Sequence, residues 1–444
     1  MTSTRHDNAG RESVPKENAR KQALFLVCFG AGILLWILGF VLHVKAVDAG
    51  KDFIGSYYSS HCLLQHKDPY DPKNVDATFR AEGGEHPMDD PLTREITSRY
   101  LYPPSAFAVM VPLALLPWDT AKVVWAVGSA GSLILAGFLV LDLCAQEAAV
   151  LGGLFIAYLL GSSYVLVVLA NPSELAIGLC VIAAWCFLKD RGVWAGVACL
   201  AASLAIKPQV AGLVWLYFAV AGGMLRRRAL QTLLVTALIS LPFLIWTQRV
   251  SPNWTAELQA NVQSFNVSGG ATDPGPSSPS ANDLLDLQVV VSRVWNRPGV
   301  YNGITYVVLA PLIAWVSIAS RRVVRREAVL YGLGAMAVLS LLPVYHHIYD
   351  AKLLLLTIPA LTLVWARRDR LALVGLLLTG LTLLLAGDAT HHLLMKFAEG
   401  WRGVVAASPW GMDYLAVCAA PLSLLATGVF YAWVFWKTRG EFRS

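Results

Sequence analysis

The chain has 444 residues, of which 56% are hydrophobic and only 14% charged, with a formal net charge of +6. Soluble globular proteins carry roughly 25% charged residues, so an ordinary soluble domain is excluded. The basic residues gather at the ends of apolar runs, so the net charge says little about nucleic acid, and none is expected as a partner.

Residues 1–21 are polar, end in Arg20-Lys21, and are expected to form a disordered cytoplasmic tail. The apolar run 23–42 that follows is too long for a signal-peptide core and has no small-residue cleavage site. It reads as an uncleaved first membrane helix. Further blocks almost free of charge stand at 148–170, 229–246, 299–319 and 414–436. Each approaches the ~20 residues that cross the hydrocarbon as a helix, and none alternates as a barrel strand would. The expected fold is one all-α polytopic membrane domain over 22–444. About twelve spans fit the pattern.

Basic clusters at 226–228, 321–326, 367–370 and 437–443 mark the cytoplasmic side by the positive-inside rule. Both termini then lie in the cytoplasm, with a short tail over 437–444. Two large loops, 45–102 and 247–298, and the segment 388–412 fall on the outer, periplasmic face of a plasma (inner) membrane. The stretch "YPPSAFAVMVPLALLP" (102–117) is short for a span, as are the pieces either side of Lys207-Pro208. Either 102–117 crosses and 192–225 crosses once with a break, or 102–117 is re-entrant and 192–225 crosses twice. The two assignments put "NPSE" (171–174) on opposite faces. The seven cysteines lie mostly in or beside apolar blocks and form neither a disulfide framework nor a zinc spacing.

Ionisable residues in or beside a membrane are costly, so each is a functional candidate. Asp52 opens "KDFIGSYYSSHCLLQHKDPYD" (51–71), a juxtamembrane helix whose Tyr57-Tyr58 pair suits the interface. An acid there is either a helix cap or an acid–base group. A second cluster, "VYHHIYDAKLLLL" (344–356), collects His346, His347, Tyr349, Asp350 and Lys352 between two spans. Adjacent histidines point apart on a helix and no third ligand stands at metal spacing, so no metal site is assigned. The third group is Asn171, Glu174 and Lys207; the lysine precedes a proline within an apolar stretch and either snorkels or holds a phosphate. His391, His392 and Arg402 are weaker candidates. Outer-face acids, cations and long apolar walls suit transfer from a membrane-anchored, phosphate-linked donor to an acceptor at the outer leaflet. The outer loops lack an Asp-x-Asp element, which favours a lipid-phosphate donor over a nucleotide sugar. No cofactor is expected, and dependence on a divalent metal is left open.

The stretch "DFIGSYYSSHCLLQHKDPYD" resembles the "DF..YY.A...L..G.DPYD" element of the family-87 glycosyltransferases. "YPPSAFAVMVPLALLP", "NPSELAIGLCVIAAWCFLKDRG…AIKP" and "VYHHIYDAKLLLL" are similar to later elements of that family, so the resemblance runs through most of the chain. It implies a GT-C fold and a polyprenyl-phosphate-sugar donor, mannose first, with a glycolipid or glycan acceptor. It also implies that Asp52 is the base of an inverting transfer, with His346 or His347 orienting it or touching the phosphate. Lys207 and Lys352 are the candidates for phosphate charge, and Tyr57, Tyr58, Asn171, Glu174 and Asp350 for other donor contacts. Two departures bear on specificity: Asn171-Pro172-Ser173-Glu174 replaces the usual Gly-Gln-x-Asn, and Lys67 replaces the glycine before DPYD.

Two rival classes make different demands. A transporter or flippase for a lipid-linked solute calls for repeated halves and charges near mid-membrane. A GT-C-like glycan ligase shares the cationic site but needs a wider acceptor groove. The concentration of polar residues at one face favours the glycosyltransferase.

Overall fold

The computed structural model describes residues 8–45, 50–82, 97–278, 280–321, 323, 325–401 and 412–440. Arg402 and most of "AEGGEHPMDDPLTREI" lie outside them. Long apolar runs in lipid can satisfy their backbone only within the helix, and the chain is accordingly all-α. In chain order the helices are α1 (Asn8–Lys45), α2 (Lys51–Leu64), α3 (Pro72–Ala81), α4 (Phe107–Ala114), α5 (Trp118–Leu143), α6 (Ala149–Gly161) and α7 (Tyr164–Leu169). They continue with α8 (Pro172–Lys189), α9 (Val193–Ile206), α10 (Pro208–Ala221), α11 (Gly223–Val250), α12 (Trp254–Asn266), α13 (Leu287–Ser292) and α14 (Pro298–Ser320). The last are α15 (Arg326–Ser340), α16 (Ile358–Ala366), α17 (Arg370–Leu385), α18 (Asp388–Trp401) and α19 (Met412–Gly440), with a 3-10 segment, Ile348–Thr357, leading into α16. Among the described residues no strand forms; Leu284 and His347 make one isolated antiparallel bridge.

Among the described residues, eight helical stretches are long and apolar enough to cross a membrane. This is a multi-pass membrane protein. The remaining helices of the bundle, α9, α10, α15 and α17, have 14, 14, 15 and 16 residues. At 1.5 Å per residue, these reach only about 21–24 Å.

The Lys207-Pro208 break has a simple cause. A residue before proline is driven out of the α region, and Lys207 sits at φ −143°, ψ 81° between α9 and α10. The two helices turn back on one another there, so 192–225 traverses the bundle twice, and the ends that meet at Lys207 share a face with Asn171. The segment 102–117 stays at that face: Ser105 Oγ donates to Ala205 O at 2.8 Å, and Leu116 O accepts from Tyr57 OH at 2.7 Å. Contacts of this segment at a single face are what the re-entrant assignment expects.

Basic groups gather at the opposite end. Lys189 pairs with Asp142 at 2.6 Å, Arg228 binds Phe187 O and Asp190, and Arg439 Nη1 donates to Ala319 O at 3.1 Å. The helix ends carrying the arginine clusters are thus tied together by their own charges, and the acids and histidines of the sequence motifs collect at the other end.

The motif Asp68-Pro69-Tyr70-Asp71 is a bracket. Asp68 Oδ1 accepts from Tyr70 N at 2.9 Å, and Asp71 Oδ1 caps α3 through Lys73 N at 3.0 Å, with Pro72 in the first helical position. Tyr70 is buried and donates its hydroxyl to Tyr102 O at 2.9 Å, pinning the Tyr-Pro-Pro segment to the first loop. Asn261 on α12 completes the tie, donating to Tyr70 O at 2.9 Å and Tyr100 O at 3.3 Å.

The segment between α12 and α14 is held by a second clasp. Leu285 N donates to His346 O at 2.8 Å, Gln288 Nε2 to Pro343 O at 2.8 Å, and Asp286 Oδ1 caps α13 through Val289 N at 3.2 Å. Burial pushes the Asp286 carboxyl from 3.8 up to about 7. The folded clasp therefore holds a proton that the open chain releases. The share of its stability tied to that proton is full below pH 3.8, falls as pH rises, and is lost through pH 7. Amide exchange over residues 284–292, corrected for the intrinsic rate, is expected to show more opening at pH 8 than at pH 5 in wild type. Asp286→Asn keeps the cap and flattens that dependence; a wild-type clasp insensitive to pH contradicts the assignment.

Deeper in the bundle, Lys352 and Asp388 form an ion pair at 2.7 Å with both side chains sealed from solvent. Two such charges persist in an apolar interior only because each neutralises the other, and removing one partner costs about 3–5 kcal/mol. Asp388→Leu is expected to lower the melting temperature in detergent, and adding Lys352→Met to recover at least half of the loss.

Candidate active site

A cavity of about 540 Å³ opens at the face where α2, α8, α10 and the 3-10 segment meet. Its walls include Asp52, Asn171, Lys207, His347 and Tyr349 from the sequence motifs, joined by Lys51, Arg99, Tyr102, Gln209, Asp283 and Tyr345. Apolar side chains, Val165, Leu169, Val262 and Phe265 among them, cover much of the rest.

Local structure aims the polar groups. α7 ends at Ala170, which takes the left-handed conformation (φ 54°, ψ 40°) and gives its carbonyl to Trp125 Nε1 at 2.9 Å. For a residue with a Cβ that conformation costs about 1–2 kcal/mol. The turn delivers Asn171 to the start of α8, where its Oδ1 accepts from Ser173 N at 2.9 Å and Pro172 fills the first helical position. Asn171 Nδ2 then donates to Asp52 Oδ2 at 2.7 Å and to Tyr349 OH at 3.2 Å.

Asp52 follows Gly50, whose positive φ of 76° allows the tight entry into α2. Burial raises the Asp52 carboxyl above the usual carboxylate range, opposed by the Asn171 hydrogen bond and by the charges of Lys51 and Lys207. Lys207 Nζ donates to both oxygens of Asp350 at 3.2 Å and to Ser173 Oγ, and stands 5.9 Å from the centre of the Tyr349 ring. Arg99 Nη1 donates to Asn261 Oδ1 at 3.2 Å, so the α12 bracket also orients a guanidinium on the cavity wall.

The histidines divide. His347 lines the cavity; Asp350 N donates to His347 O at 2.8 Å while Asp350 Oδ2 accepts from His347 N at 3.2 Å, so the two residues hold the start of the 3-10 segment between them. His346 is fully buried behind the wall, with Nδ1 donating to Val344 O at 2.8 Å and Nε2 without a partner among the described residues. Burial lowers both imidazoles, which favours the neutral rings.

Other residues singled out in the sequence stand apart from the cavity. Tyr57 and Tyr58 point to the far side of α2, stacked among Phe53, Trp118 and Phe79. Glu174 and Lys352 are buried in the helix core; Lys352 is held by Asp388, and Glu174 Oε1 has no hydrogen-bond partner among the described residues. Asp350 lies just behind Lys207. His391 sits 3.4 Å from Asp283, at the edge of the site. Lys51 and Arg99 escaped the sequence reading, although each adjoins a motif: Lys51 precedes Asp52, and Arg99 precedes Tyr100-Leu101-Tyr102-Pro103-Pro104.

The arrangement offers a carboxylate held at one oxygen, cations on the same walls, and an apolar lining. Such a set can take a proton from a hydroxyl and hold an anionic leaving group. No curated protein and no solved structure matches the chain. The model of Glycosyltransferase family 87 matches residues 100–344, more than half of the chain and most of the cavity wall, though not Asp52. The chain is a membrane-embedded member of glycosyltransferase family 87.

Proposed function

We propose that this glycosyltransferase moves a hexose, mannose being the first to test, from a polyprenyl-phosphate donor to a glycolipid or glycan acceptor at the outer face of the membrane, within a GT-C fold. Asp52 acts as the general base. Its carboxylate takes the proton of the acceptor hydroxyl while that oxygen bonds to the anomeric carbon. The bond from the anomeric carbon to the phosphate oxygen breaks on the opposite side, and its electron pair leaves with polyprenyl phosphate, inverting the configuration.

The observation that carries this reading is the sharing of one cavity of about 540 Å³ by Asp52, Lys51, Arg99 and Lys207. A departing phosphate needs positive charge, and a buried carboxylate pushed upward is a stronger base than an exposed one. Lys51, Arg99 and Lys207 share the cavity walls and together carry the phosphate, Lys207 while paired with Asp350. Lys352, committed to Asp388, is structural in this scheme. The apolar lining gives the first isoprene units a place beside the phosphate. With the arginine clusters at the opposite end in the cytoplasm, the cavity faces outward.

Purified protein in lipid vesicles, given labelled polyprenyl-phosphate-mannose and a membrane lipid extract, tests the reading. Wild type is expected to transfer label into a new glycolipid, with Asp52→Asn slower by about 10²–10⁴-fold at equal folding. Failure with the mannose, glucose and arabinose donors alike overturns the donor class, and an active Asp52→Asn overturns the base. Lys51→Ala with Arg99→Ala is expected to lower kcat/KM by roughly 10–100-fold, the worth of a charge-assisted hydrogen bond. Because the base must be unprotonated, kcat/KM rises with pH through the Asp52 pKa, and burial moves that limb above the ordinary carboxylate range. A limb at the ordinary range contradicts the assignment.

A further inference from the structure

We infer that Asn171 is the positioning residue of Asp52: its carboxamide is locked by the α8 cap so that only the NH₂ group meets the carboxylate. The lock follows from hydrogen-bond chemistry. Ser173 N can only donate, so the Asn171 atom it meets at 2.9 Å must be the carbonyl oxygen. The other terminal atom is then the amide nitrogen, an obligatory donor, and it faces Asp52 Oδ2 at 2.7 Å. A donor fixed this way favours the unprotonated carboxylate and resists a protonated one. Tyr349 OH, 3.2 Å from the same nitrogen, accepts the second amide hydrogen, which leaves the carboxamide no freedom to turn. Asn171 itself is nearly sealed from solvent, and its backbone is set by the left-handed turn at Ala170 and by Pro172.

This assignment differs from a sugar-contacting role for the Asn-Pro-Ser-Glu motif. Asn171 spends both hydrogens and its oxygen on the protein, and Glu174 does not reach the cavity. The motif thus serves Asp52, and a hexose must be recognised from other walls. Other charged and titratable groups act on Asp52 as well: Lys51, Lys207 and Asp350, with the phenols of Tyr102, Tyr345 and Tyr349 around it. Asn171 is distinguished from them by contact and by its fixed donor.

The inference rests on Asp52 being the base, and its test is independent of turnover. Full-length protein in nanodiscs is titrated by infrared difference spectroscopy, with the Asp52 carboxyl band assigned by its loss in Asp52→Asn. Asn171→Ser keeps a good helix cap and removes the donor; Asn171→Asp keeps the cap and the side-chain length but sets a second carboxyl against the first. The Asp52 midpoint is expected to rise by about one to two pH units in Asn171→Ser, and further in Asn171→Asp. In the transfer assay the same variants lose kcat at neutral pH, recover toward alkaline pH, and keep KM. Midpoints unchanged from wild type in both variants overturn the inference, as does a KM rise with an unshifted pH profile, which is the mark of a sugar contact. If wild type fails to transfer with any donor, the donor reading falls while the infrared titration still decides the role of Asn171.

Discussion

The ion pair between Lys207 and Asp350 governs the geometry of the cavity. Both side chains are buried, and a charge left alone among apolar helices costs several kcal/mol. The pair therefore ties the α9–α10 turn, in the first half of the chain, to the 3-10 segment in the second. Everything polar at the site hangs from that tie. Asp350 accepts from His347 N, Tyr349 is carried next to it against Asn171, and Ser173 bonds Lys207 two residues from Asn171. Asp52 is then met by a donor whose position was set from two directions.

Around this charged centre the chain uses hydrogen-bonded brackets to hold irregular backbone. The Asp68-to-Asp71 bracket, the Asn261 contacts and the Asp286 clasp each satisfy carbonyls and N–H groups that the helices leave open. Together they enclose the cavity with loops whose placement is as determined as that of the helices. The division of labour explains why two residues of one motif, Asp52 and Tyr57, have different fates. One face of α2 looks into the cavity and the other packs on an aromatic cluster with Trp118 and Trp125.

Much of this was legible in the sequence. Apolar run length marked most spans, arginine clusters marked one common end, and the cost of burying charge singled out Asp52, Asn171, Lys207 and His347, all of which line the cavity. What escaped was partnership. Sequence offers Lys352 as a phosphate cation and does not reveal that Asp388, 36 residues later, neutralises it. It reveals that Lys207-Pro208 breaks a helix, yet whether the chain reverses there depends on packing between distant segments. Arg99 stayed hidden because its register against Asn261 is 162 residues long-range.

The central claim is that the cavity beside Asp52 receives the phosphate of a lipid-linked donor. Its most direct test is an experimental structure of the full chain in nanodiscs with a polyprenyl phosphate bound. The account predicts phosphate density within hydrogen-bonding distance of Lys51 and Arg99, with Asp52 and Asn171 still in contact and the first isoprene units against the apolar wall. Phosphate bound instead at the arginine-rich end, or on the outer surface away from Asp52, would contradict it.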